Sequence, residues 1–210
     1  QTIETSQYSV IRGGDPNSQN TALTDPLLIT VLNNSTSFAT PALHNRGLID
    51  GRVTLDVSGL VYNEGRIETS GEISANSLVT SVTSQIRSFP SSASPLRLQL
   101  YSDRAAGVGA NDNFGALHNR GLIEGNLDFL VAGGVVNGDN YLPTSGAPAN
   151  GSSAGGTIAG SGRILAGQFL NNVDAEVRAR RGEPLTIPAN GLAATFPVGP
   201  GIPVTPPGPT

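Results

Sequence analysis

The chain has 210 residues and a formal net charge of −4, with 13 % charged residues, 37 % apolar residues, 27 glycines and 15 prolines. This balance excludes one thick globular core, a charge-driven disordered chain and an electrostatic binder of nucleic acid. Cysteine is absent and all 12 basic residues are arginine, which excludes disulfides, thiolate metal sites, a P-loop and lysine chemistry. No apolar run reaches the ~18 residues of a membrane helix.

The first residue is Gln1 rather than Met, as expected of a processed, secreted chain on a bacterial exterior. Residues 1–29 read as an N-terminal arm. Within it, Gln7 to Arg12 form a strand-like run ahead of a Gly13-Gly14-Asp15-Pro16 hinge. Ile3, Tyr8, Val10 and Ile11 are the candidate assembly residues. The arm either caps the first coil of its own subunit or crosses to a neighbour and adds a strand to an open edge.

Residues 30–195 carry a repeat. Residues 42–51 read ALHNRGLIDG and residues 116–125 read ALHNRGLIEG, identical but for Asp50 against Glu124. The offset is 74 residues, and the match continues through Val57, Gly59, Val61 and Asn63 against Val131, Gly133, Val135 and Asn137. Inside it lies a shorter period. Asn45-x-Gly47-x-Ile49 returns at a step of 18 as Asn63-x-Gly65-x-Ile67, and Asn119-x-Gly121-x-Ile123 is followed at the same step by Asn137. Asn172 and Asn190 extend the period more loosely.

Between these landmarks, Val53, Leu55 and Val57 alternate with polar residues, as do Leu96, Leu98 and Leu100, and both runs read as strands. Residues 76–113 break the repeat, and the one segment compatible with a helix is Ser74–Arg87. Residues 139–156 read as a protruding loop. Residues 155–167, GGTIAGSGRILAG, place Ile158, Ile164 and Leu165 between the corner glycines Gly155, Gly156, Gly160 and Gly162. Residues 196–210 form a Pro/Gly-rich tail.

Short strands at a period near 18 predict an all-β fold: a single-chain parallel β-helix, or β-solenoid, whose coils stack at about 4.8 Å. Leu43, Ile49, Leu117 and Ile123 then point inward. The stretches LHNRGLIDG, VYNEGRIETSG and GGTIAGSGRILAGQFLNN resemble the degenerate repeats of filamentous-haemagglutinin-like and autotransporter-passenger solenoids. That resemblance covers roughly residues 40–75 and 115–180, and it implies a surface β-helix outside the cell.

No residue set emerges as catalytic, cofactor-binding or metal-ligating. His44 and His118, the only histidines, occupy one register; four coils would hold them roughly 20 Å apart. Arg46 and Arg120, with Asp50 and Glu124, suggest a surface ladder of charges, worth little per pair. Asp103, Asp112 and Asp128 show no spacing that unites them. Asn111–Asn113 and Gly138–Asn140 match no calcium loop and read as turns. Arg178 and Arg180 share one strand face beside Arg181. Sequons stand at Asn33, Asn34 and Asn150.

Three functions remain in order of preference. The first is a secreted, non-enzymatic structural protein that polymerises with itself into an extracellular filament. The second is a monomeric surface adhesin or passenger domain that binds glycans or a surface, and the third is a polysaccharide-cleaving β-helix enzyme.

Overall fold

The computed structural model describes residues 2–14, 25–88, 94–103, 115–138, 155–172, 175–180, 182–189 and 192–196. Among them the protein is all-β, without a helix. The strands are β1 (Ile3–Glu4), β2 (Val10–Arg12), β3 (Leu27–Val31), β4 (Leu43–Asn45), β5 (Leu48–Gly51), β6 (Val53–Asn63), β7 (Arg66–Thr69) and β8 (Glu72–Thr80). They continue with β9 (Gln85–Ser88), β10 (Leu96–Leu100), β11 (Leu117–Asn119), β12 (Leu122–Asn137), β13 (Thr157–Asn171), β14 (Glu176–Ala179), β15 (Leu185–Ala189) and β16 (Leu192–Phe196).

Every pairing between these strands is parallel except β15 with β16. The pairings define three recurring positions. At the first, Ile3, Leu43, Val61, Leu78, Leu117, Val135 and Phe169 succeed one another as register partners. At the second, Ile11, Ile49, Ile67, Ile86, Ile123, Ile158 and Val177 do the same. At the third, the sequence is Ile29, Leu55, Ile73, Leu98, Phe129 and Ile164. The chain passes these positions in order, giving seven levels. Level 1 is β1, β2 and β3; level 4 is the end of β8, then β9 and β10; level 7 is the end of β13, then β14 and β15.

The core consists of these columns. Leu43, Ile49, Ile67, Leu78, Leu117 and Ile123 are all buried within one apolar cluster. Period-two alternation turns the intervening side chains away from the columns, and Val79, His118 and Val136 among them are nevertheless buried. The branched residues Ile and Val suit such a pleated, one-sided surface. The turn between the first two positions is tight. A Cβ on Gly65 would lie 2.2 Å from the Gly47 carbonyl oxygen of the level before, and one on Gly47 would lie 2.4 Å from that of Ser9. Only glycine permits backbones to approach so closely.

Several expectations change. The step between levels is 18 from Asn45 to Asn63 and from Asn119 to Asn137, but 40 from Thr5 to Asn45 and 39 from Thr80 to Asn119. Insertions at the corners lengthen those levels without disturbing the pairing. Residues 76–113 do not interrupt the stack as a block, because β8, β9 and β10 all take regular places in it. Ser74–Arg87 holds the end of β8 and the start of β9, not a helix; Leu78 and Ile86 are drawn into the apolar columns. Nor do residues 3–12 lie outside the repeat, since β1 and β2 pair with β4 and β5 of the same chain.

Pairing also forms one closed circuit of four strands, β8–β10–β12–β11, where a plain stack of coils was expected. Residues 139–154, Asn190 and the tail beyond Phe196 lie outside the described residues.

Candidate assembly surface

The corner after the first position is built on hydrogen-bonded side chains. Asn45 Nδ2 donates to Asn63 Oδ1 of the next level at 2.7 Å, and Asn119 Nδ2 donates to Asn137 Oδ1 at 2.8 Å. Asn137 Nδ2 continues to Asn171 Oδ1 at 2.8 Å. The ladder therefore uses Asn171. Asn172, expected there, instead donates to the Gly138 carbonyl at 3.0 Å; the insertion before level 7 sets the ladder step from Asn137 at 34.

Each ladder starts at a threonine. Thr5 Oγ1 donates to Asn45 Oδ1 at 2.8 Å and accepts the backbone N–H groups of Arg46 at 2.9 Å and Gly47 at 3.1 Å. Thr80 Oγ1 donates to Asn119 Oδ1 at 2.8 Å and accepts those of Arg120 at 2.8 Å and Gly121 at 3.2 Å. Ser9 and Ser84 repeat the match: their hydroxyls donate to the carbonyls of Ser6 and Ser81, each at 2.8 Å. Levels 1 and 4 are thus structural counterparts. The signal in the sequence is TSQYSVIR (5–12) against TSVTSQIR (80–87), identical at five of eight positions with an offset of 75.

The counterparts differ in what covers them. Level 4 lies under level 3. Level 1 has strand partners on one side alone among the described residues. Ile3 is accordingly 43 % exposed, whereas its counterpart Leu78 is 0 % exposed. Ile11, Leu27 and Ile29 are half-buried, whereas Ile86, Leu96 and Leu98 are buried. Tyr8, Val10 and Leu28 add exposed apolar surface on the outside of the same level. Among the described residues, Ile3 and Ile11 therefore stand at an uncovered end of the apolar columns, while Tyr8 and Val10 face outward on the same level. At the opposite end, β16 runs antiparallel on β15 from Leu185↔Phe196 to Ala189↔Leu192.

Outside the corner, Glu4, His44, Arg46, Tyr62 and Glu64 form a polar cluster. His44 Nε2 and Glu64 Oε2 are 2.8 Å apart, Arg46 Nη1 lies 2.7 Å from Glu4 Oε1, and Arg46 Nε lies 3.1 Å from Glu64 Oε2. The Tyr62 hydroxyl donates to Glu64 Oε1 at 3.1 Å. Burial opposes the charge on Glu64, yet hydrogen bonds from His44, Tyr62 and Arg46 outweigh it and hold the carboxyl below its usual 4.5. Tyr62 is raised above 10.0 by burial first and then by its bond to Glu64. Its ring stacks on His44 at 5.0 Å and meets Phe38 at 4.9 Å.

The remaining candidates separate. His44 and His118 are three levels apart through Tyr62 and Val79, about 14 Å rather than the four-coil distance expected; Leu78–Thr80 and Leu117–Asn119 are adjacent levels despite the long insertion between them. His118 is buried with Nε2 3.1 Å from the Gly138 carbonyl oxygen. Arg46 does not pair with Asp50. Asp50 binds Arg12 through two nitrogens, at 2.9 and 2.8 Å, and Glu124 meets Arg87 at 2.7 Å. Asp128 sits 2.6 Å from Arg163 Nε, while Asp112 lies outside the described residues. Arg178 Nε is 2.8 Å from Glu176. Among the described residues, no three His, Asp or Glu side chains group as a metal site.

No family model, curated protein or solved structure matches the chain.

Proposed function

We propose that the chain is a parallel β-solenoid and a secreted, non-enzymatic structural subunit of an extracellular filament, joined head to tail. The solenoid is supported by three positions visited in one order at seven levels, with parallel pairing from each level to the next. The four-strand circuit is compatible with it. β8 and β12 are long strands that each turn a corner, and they hold β10 and β11 between them within a shared region of the stack.

The filament is carried by one observation: among the described residues, the apolar columns end at level 1 on a parallel edge without a further strand, with Ile3 43 % exposed. Unpaired strand edges are templates for another chain. A head-to-tail contact is heterologous and need not close, so it propagates into a fibre. Light scattering against concentration, with electron microscopy, tests this. Elongated particles whose mass grows with concentration are expected; a monodisperse monomer at high concentration refutes the filament.

The monomeric adhesin draws on a separate observation. The Phe38 and Tyr62 rings lie beside the hydrogen-bonding groups of Glu64 and Arg46, a combination of apolar face and polar rim suited to a glycan. Glycan-array binding by a chain that stays monomeric would favour it.

A further inference from the structure

We propose that the open edge of level 1 receives level 7 of a second copy, in the register that level 4 already uses on level 3. This interface depends on the filament proposed above and specifies it residue by residue. In the internal junction, Val61, Tyr62 and Asn63 face Leu78, Val79 and Thr80, while Arg66, Ile67 and Glu68 face Gln85, Ile86 and Arg87. The Ser81 N–H donates to the Asn63 carbonyl at 2.9 Å and the Gln85 N–H to the Gly65 carbonyl at 3.0 Å. Level 1 has the same Thr-Ser turn, the same threonine bonds and the same strand positions as level 4.

Transposing that register brings Phe169, Leu170 and Asn171 of one copy over Ile3, Glu4 and Thr5 of the next. Glu176, Val177 and Arg178 come over Val10, Ile11 and Arg12. The apolar columns run on through Phe169 over Ile3 and Val177 over Ile11. Asn171 meets Thr5 as Asn63 meets Thr80. The backbone donors into the contact are the N–H groups of Ser6 and Val10, the counterparts of Ser81 and Gln85.

Two differences from the internal junction make the interface weaker and controllable. Arg178 faces Arg12, where the internal junction sets Glu68 against Arg87; like charges directly opposed are destabilising. In addition, β16 occupies the side of β15 that β3 of the arriving copy would take. Joining therefore requires β16 to leave β15.

Because the chain has no cysteine, introduced pairs report the register without background. Val10→Cys and Glu176→Cys are placed on separate full-length chains and mixed under oxidation. Neighbouring parallel strands hold facing residues within the ~4.4–6.8 Å Cα range that a disulfide needs. The same mixture is repeated with Ala194→Pro in both chains, since proline removes a backbone donor from β16 and weakens its pairing. Covalent V10C–E176C heterodimers are expected in preference to homodimers, forming faster with A194P, and V10C mixed with Arg178→Cys is expected to give few. Separately, Arg178→Glu should lower the concentration at which filaments form by about fivefold. Preferential V10C–V10C dimers would bring two level-1 edges together and overturn the interface. Filaments without the V10C–E176C link, or a V10C–R178C link at equal yield, overturn this register and leave the filament standing. Monomers at every concentration, with and without A194P, overturn the filament and the interface together.

Discussion

Asn119 donates its side-chain amide to Asn137 Oδ1 across one level at 2.8 Å, and both residues are fully buried. The same amide group reaches the Gly121 and Thr157 carbonyls at 3.2 Å each, and Asn119 Oδ1 accepts from Thr80. Asn119→Ala therefore strands several buried polar groups at once and should cost about 3 kcal/mol. Asn171 ends the ladder and is half-buried; Asn171→Ala should cost about 1 kcal/mol. Urea midpoints of the two variants check the ranking, and equal losses would mean that the ladder is not cooperative.

Glycine at the corner is required by contact rather than by dihedral angle. Gly65→Ala drives a Cβ to 2.2 Å from the Gly47 carbonyl oxygen. Neither atom is the end of a flexible side chain, so the levels must separate, at about 3 kcal/mol. Gly182 has φ +86° with nothing within 4 Å of an added Cβ. Gly182→Ala meets backbone strain alone, about 1 kcal/mol. Thermal unfolding of both variants separates the two mechanisms.

Much of the core was legible because it is local. The Asn-x-Gly-x-Ile pattern at Asn45 and Asn63 spans a corner and its two flanking strands, so its return 18 residues later marked the length of one level. The duplicated decapeptide likewise placed Leu43 and Ile49 in register with Leu117 and Ile123. Level 1 was hidden because an insertion lengthens the step from Thr5 to Asn45 to 40. The match of residues 5–12 to 80–87 is also carried by small polar residues that hydropathy ignores. Thr5 and Thr80 substitute for asparagine by accepting two backbone N–H groups with one hydroxyl, a role that no periodicity announces. The Glu4–His44–Glu64 cluster was illegible for a related reason: its members come from three levels and from a corner.

The cluster gives the protein an acid-sensitive corner. Glu64 has a folded-state pKa below its usual 4.5. Its contribution to stability is therefore complete above that value and is lost as pH falls through the lowered one. Tyr62 is raised above 10.0, so its contribution holds below 10.0 and is lost as pH rises through the raised value. Glu64→Gln should flatten the part of the stability decline below pH about 4.5 that the wild type owes to this residue. Urea midpoints between acid and neutral pH, for both chains, check it; parallel curves would show that the decline arises elsewhere.

Ile11 and Ile86 occupy the same position in counterpart levels, one at the open edge and one under a full level. Ile86 is 1 % exposed. Ile86→Asp forces an unpaired carboxylate, or its protonated form, between levels 3 and 5 and should cost about 4 kcal/mol. At Ile11 the carboxylate can turn to solvent on the uncovered side, so Ile11→Asp should cost about 1–2 kcal/mol and leave the stack folded. The order reverses for assembly. Ile11→Asp puts a charge where Val177 of another copy would pack, so it should abolish growth of particles in light scattering while circular dichroism stays β-rich. Losses of equal size in the two unfolding curves would mean that level 1 is as well covered as level 4, which would remove the open edge on which the filament depends.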